Sequence, residues 1–195
     1  MKTTTKQRWA AVLTAAGIAG MTAVGQGAGA ASADTVIDGI NVGGRIEQAY
    51  FESGGVEKWG GPRSTELRAR NNGRFQVFAK DTAFYWNAGV DYGRAHQISG
   101  AIRGKWASLN WENGALGYPV TNEFGQGPAR VSIFQGGTIY WSQNTGAHQI
   151  WGGILSKWRA QGGVNSAVGL PVSDEIRLGN NTFLQRFANG VIYFP

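Results

Sequence analysis

The chain has 195 residues, of which 42% are apolar and 15% charged, with 31 Gly, no Cys and a formal net charge of +6. The apolar share is enough for a packed core and excludes a wholly disordered chain, while the lack of Cys excludes a disulfide scaffold, thiol catalysis and Cys-ligated zinc or iron–sulfur centres. Glycine far above the usual share of about 7%, together with 8 Trp, 9 Phe and 6 Tyr, points to tight turns between short aromatic-rich elements rather than to long helices.

Residues 1–33 read as a secretory signal peptide: Lys2, Lys6 and Arg8, an apolar stretch from Trp9 to Val24, then small residues ending Ala31-Ser32-Ala33. The segment has no Cys to acylate and no adjacent Arg pair, which argues against a lipoprotein anchor and the twin-arginine route. Cleavage after Ala33 leaves 195 − 33 = 162 residues from Asp34, expected as one domain over 34–195, and lowers the charge to +3 (15 basic minus 12 acidic). That balance, with no basic run, gives nucleic acid no support as a partner. No apolar run long enough to span a bilayer follows the signal, so the expected product is exported, soluble or peripherally attached.

Self-comparison of the remainder reveals a repeat. Ala95-His96-Gln97-Ile98 returns as Ala147-His148-Gln149-Ile150, Trp106 as Trp158 and Pro119 as Pro171, each at an offset of 52 (148 − 96, 158 − 106, 171 − 119). Upstream, Ile46 and Tyr50 match Ile154 and Trp158, Gly54-Gly55-Val56 matches Gly162-Gly163-Val164, and Gly60-Gly61-Pro62 matches Gly169-Leu170-Pro171. The units span approximately residues 39–94, 95–146 and 147–195.

Each unit is predicted to hold short antiparallel strands and one helix, an α+β repeat. Ile102, Trp106 and Leu109 line one helix face at 3.6 residues per turn, and Gly54-Gly55 and Gly162-Gly163 stop the corresponding helices. A Gly-x-Pro turn follows, then Ser64-Thr65-Glu66, Thr121-Asn122-Glu123 or Ser173-Asp174-Glu175. Strands come next, Val131 to Phe134 turning through Gln135-Gly136-Gly137 into Thr138 to Trp141, with Ala147 to Ile150 after them. The last unit ends at Val191-Ile192-Tyr193-Phe194-Pro195 without a third strand, and Gly39-Ile40-Asn41-Val42 supplies a spare one at the other end. Pairing the two would hide exposed edges, so a closed, propeller-like ring is expected.

Leu116-Gly117-Tyr118-Pro119, Val168-Gly169-Leu170-Pro171, the Thr/Ser-x-Glu after each, Gly-Thr-Ile-Tyr-Trp at 137–141 and Gly-Ala-His at 146–148 together resemble the LGFP repeat. The resemblance covers nearly all of 39–195, with Trp59-Gly60-Gly61-Pro62 and an enlarged strand region as departures in the first unit. It implies a secreted, actinobacterial, cell-wall-associated protein that holds or anchors to the wall. Family members often carry a catalytic domain beside the repeats, for which three repeats and a signal leave no room here.

His96 and His148 occupy one repeat position, so a structural hydrogen-bonding role outweighs catalysis. Neither has neighbours at metal-ligand spacing, and no metal or cofactor is expected. Glu66, Glu123 and Glu175 have the chemistry of paired glycosidase carboxylates, yet their fixed distance from a turn suits turn and capping contacts better. The chain from Asp34 has no Gly-x-Ser-x-Gly elbow, so no catalytic residue is assigned. Tyr85, Tyr140 and Tyr193 project opposite to their flanking residues. They suit either core packing or sugar contact, since C–H faces of sugars stack on rings while hydroxyls bond nearby amides and carboxylates. The carbohydrate-binding candidates are therefore Tyr85, Tyr140, Tyr193, Glu66, Glu123, Glu175, Trp111 and Trp151. The expected function is a noncatalytic envelope module binding wall polysaccharide of arabinogalactan or peptidoglycan type. The alternatives are a surface protein–protein interaction module, with envelope proteins as partners, and a small secreted hydrolase.

Overall fold

The computed structural model describes residues 34–195, so the expected signal peptide over residues 1–33 lies outside the described part. The chain opens with a hairpin of β1 (Thr35–Ile37) and β2 (Ile40–Val42), paired antiparallel. Asp38 and Gly39 join them with φ of 51° and 78°, the two left-handed residues of a type I′ turn, whose twist matches that of the flanking strands.

A helix follows directly: α1 (Gly44–Glu52), then the short α2 (Gly55–Trp59). The first full sheet contains β3 (Leu67–Arg68), β4 (Arg74–Phe78), β5 (Thr82–Trp86) and β6 (Ala95–Ser99), hydrogen-bonded in that order and antiparallel throughout. The second unit repeats this with α3 (Gly100–Ser108), a 3-10 turn at Trp111–Asn113, and a sheet of β7 (Phe124–Gln126), β8 (Ala129–Phe134), β9 (Gly137–Ser142) and β10 (Gly146–Ile150). The third has α4 (Gly152–Ala160), a 3-10 turn at Gly163–Asn165, and only β11 (Ile176–Arg177), β12 (Phe183–Phe187) and β13 (Gly190–Phe194). Each sheet thus gains a short first strand after the Ser/Thr-x-Glu segment, and unit borders at 94/95 and 146/147 fall inside sheets rather than between them.

The same devices shape each unit. The turn glycines Gly60, Gly117 and Gly169 have φ of 70°, 65° and 77°, a region costly for residues with a Cβ. Their carbonyls accept hydrogen bonds from the helix aromatics: Tyr50 Oη at 2.8 Å, Trp106 Nε1 at 3.2 Å and Trp158 Nε1 at 2.9 Å. Pro62, Pro119 and Pro171 bridge to Phe78, Phe134 and Phe187. The hydroxyls of Ser64, Thr121 and Ser173 accept the backbone N–H of Val77, Ile133 and Arg186 at 3.0–3.1 Å. The first unit's Trp-Gly-Gly-Pro segment is therefore equivalent to the others in geometry as well as in position.

Helices and sheets alternate along the chain. Trp106 of α3 packs edge-on against Tyr85 of the preceding sheet at 4.6 Å and against Phe134 of its own sheet at 5.3 Å. Trp158 of α4 likewise lies between two sheets, edge-on to Tyr140 at 4.9 Å and stacked on Phe187 at 5.8 Å. The two larger cores follow from this, each built from one helix and the two sheets it separates. A third core joins Val42, Ile46 and Tyr50 to Phe78 and Phe84, capping the N-terminal end.

The expected pairing of residues 39–42 with 191–194 is not formed. β2 pairs with β1 instead, and β13 pairs with β12. The strand next to β2 corresponds to the one next to β6, since Val42 faces Thr35 as Ile98 faces Ala83. β1 occupies the place that β13 would need. The architecture is a mixed α+β stack of antiparallel sheets and helices, with no closed barrel or propeller among the described strands.

Candidate functional site

Tyr85 and Tyr140 are each only 4% exposed. Tyr85 stacks on Phe75 at 4.9 Å, Tyr140 lies on Trp158, and burial pushes both phenols above the ordinary tyrosine value. Core packing, one of the two roles their alternation allowed, is the role they have. Tyr193, at the same sheet position, is 54% exposed. Trp111 is half-buried over Tyr85 and Trp106 with the Arg103 guanidinium 5.3 Å from its ring, and half-buried Trp151 packs beside the central core.

The three glutamates differ in their contacts. Glu66 is exposed and pairs with Arg74 at 3.3 Å, its carboxyl raised by burial more than Arg74 lowers it. Glu123 accepts Arg130 Nε at 2.8 Å and Ser99 Oγ at 3.1 Å, and Glu175 is half-buried. The eight candidates do not converge on one surface: two are interior, and the carboxylates sit at separate turns.

The histidines share a repeat position but not their partners. His148 Nδ1 lies 3.1 Å from Asp174 Oδ1 and its Nε2 lies 2.9 Å from the Thr145 carbonyl. Burial raises the Asp174 carboxyl, but the hydrogen bonds from His148 and Lys105 and their charges outweigh burial and hold it below the usual carboxylate range. His96 Nε2 instead meets Asp91 Oδ2 at 2.8 Å, and its buried Nδ1 has no hydrogen-bond partner.

His96 borders a cleft of about 580 Å³ between α1 and the loop joining β5 to β6. One wall is Arg45, Gln48, Glu52 and Ser53; the other is Tyr92 to His96, with Asn122 at the side. The loop covers residues 87–94, whereas the matching connection of the second sheet covers only 143–145. Asp91, Tyr92 and Gly93 have φ of 41°, 56° and 71°. Consecutive left-handed residues with side chains carry strain that persists only where the surroundings impose it. Here Trp86 Nε1 donates to the Gly93 carbonyl at 2.9 Å and His96 ties Asp91, so the loop is pinned at its base.

At its tip Tyr92 is 93% exposed, with the Arg94 guanidinium 5.9 Å from its ring. A rigidly held open aromatic face beside guanidinium, amide and carboxylate groups can stack on an apolar ligand face and hydrogen-bond its polar rim. Ser53 Oγ is already engaged, donating to the Ala49 carbonyl and accepting from Trp59 Nε1 at 2.8 Å. Among the described residues no three His, Cys, Asp or Glu side chains gather as a metal site, and no helix is long and apolar enough to cross a membrane. Repeat comparison passes over this cleft because Tyr92 has no counterpart in the other units; the signal for it is the enlarged strand region of the first.

No curated protein matches the chain. The family model of the LGFP repeat matches residues 60–114 and 116–166, starting both times at the turn whose glycine carbonyl takes the helix aromatic's hydrogen bond. With two matched repeats covering more than half of its length, and a third built on the same turn, helix and strand geometry, the chain belongs to the LGFP repeat family.

Proposed function

We propose that this protein is a secreted, noncatalytic cell-wall module that holds envelope polysaccharide in the cleft rimmed by Tyr92. The observation that carries this reading is the exposed Tyr92, fixed on a strained and pinned loop above Arg45, Gln48, Glu52 and Asn122. A sugar ring stacks on the phenol through its C–H face while its hydroxyls meet the amides, guanidinium groups and carboxylate. An open cleft suits a polymer that enters and leaves sideways. The family's association with the actinobacterial envelope supports wall polysaccharide of arabinogalactan or peptidoglycan type as the ligand.

Retention of the purified protein on insoluble wall polysaccharide tests the reading. Tyr92→Ala is expected to weaken retention about tenfold, the loss of roughly 1.4 kcal/mol, with the melting curve unchanged because the side chain is exposed. Unaltered retention by a folded Tyr92→Ala protein would remove the cleft from the function. Release of soluble sugar during incubation would point to a hydrolase instead.

A further inference from the structure

The chain builds one interface twice: a helix and the turn after it pack onto the open face of the preceding sheet. In α4, Arg159 reaches Thr138 of β9, and Val164 lies against Gly127 between β7 and β8. In the second unit Glu112 accepts the backbone N–H of Arg70, from the preceding sheet, at 3.3 Å. The counterparts of Arg159 and Val164 in α1 and α2 are Phe51 and Val56 (159 − 51 = 164 − 56 = 108). They are 46% and 50% exposed.

The other half of this interface is open at the opposite end. Tyr193, Val191 and Ile176 stand where the first sheet presents Tyr85, Ala83 and Leu67, as the ladder registers fix. All three are exposed, and none of the described helices covers them. Exposed Arg186, the cross-strand partner of Val191, brings a positive charge to that face, and α1 carries Glu47, which β1 covers through Thr35. β13 also lacks the fourth strand that β6 and β10 provide to their sheets.

From this continuity of interface we infer that the occupant is a second copy of this chain, joined head to tail. β2 of the second copy becomes the fourth strand beside β13, and α1 of that copy covers Tyr193 and Val191. The register is that of the internal sheets, where Tyr85 faces His96 and Ala83 faces Ile98, so Tyr193 faces Ile40 and Val191 faces Val42 of the second copy. β1 holds this place in the single chain through a three-residue ladder, the contact of Thr35 with the Glu47 carboxylate and the partial burial of Ile37. It is displaced on association. The contact is heterologous, with different surfaces on the two copies, and so generates a series of oligomers rather than one closed dimer.

Sedimentation of the chain from Asp34 tests this. The protein is expected to form a concentration-dependent series, and Phe51→Glu and Tyr193→Glu each to weaken self-association roughly thirtyfold or more, as for loss of a central anchor. Mixing the two variants leaves one intact head and one intact tail, so a 1:1 dimer and nothing larger should appear. Thr35→Pro removes the N–H donated to Glu47 and should strengthen association. Monomers in both the unsubstituted and the Thr35→Pro chain, or a mixture of folded Phe51→Glu and Tyr193→Glu proteins that stays monomeric, would overturn the inference.

Discussion

Trp158 ties two structural levels together through one side chain. Its ring fills the space between two sheets, and its indole N–H satisfies the carbonyl of Gly169, whose left-handed φ would cost any other residue. Trp158→Phe keeps most of the packing but orphans that carbonyl and leaves a small void. A loss of about 1–3 kcal/mol is expected, measurable by urea denaturation. The buried amides show how an equivalent position can diverge. Gln76 Nε2 donates to the carbonyls of Asn41 and Ser64, and Gln185 Nε2 to those of Gln149 and Ser173. In the middle unit Ser132 stands at that position, and Asn122 takes a different route by accepting the Gln97 N–H at 2.8 Å.

Between elements, polar contacts fasten one unit to the next. Asp174, in the segment before β11, meets Lys105 of α3 and His148 of β10. Its carboxyl lies lower in the fold than in the unfolded chain, whose Asp titrates near about 3.9. The folded state therefore gains stability that is fully present above the unfolded value and lost as pH falls through the folded one. Thermal melts should show a decline below about pH 4, and Asp174→Asn should flatten that part of the profile while lowering stability at neutral pH. An Asp174→Asn profile parallel to that of the parent would assign the acid sensitivity to other carboxylates. The helix ends are only partly legible in the sequence. Ile102 and Trp106 mark the buried face, but Leu109 lies just past the end of α3, where the chain turns into left-handed Asn110 and Trp111.

For the molecule as a whole, the linear stack makes the ends unlike the middle. The N-terminal core is closed by Val42, which is fully buried, and by partly buried Ile37 of β1. Deleting residues 34–44 removes both along with the strand that feeds α1, so a fall of many degrees in melting temperature or aggregation is expected. An unchanged melting curve would contradict the burial of Val42. The spare strand at one end and the missing strand at the other favour a closed ring. The Asp38-Gly39 turn signal between Ile37 and Ile40 is present in the sequence, and the local hairpin it creates occupies the edge of β2 that such closure would use.

The repeat unit is legible in the chain alone, in its period, helix face, glycine turn and hairpins, because each depends on residues within a few positions of one another and on backbone geometry that repeats. Family membership was legible for the same reason. Exposure, by contrast, depends on packing between units. Tyr85, Tyr140 and Tyr193 share one strand position, yet two are interior and one is open, since α3 and α4 cover the first two and none of the described helices covers the third. The cleft was equally beyond reach of the repeat. Tyr92 sits in a connection unique to one unit, and its partners Arg45 and Asn122 come from distant segments that only packing brings together.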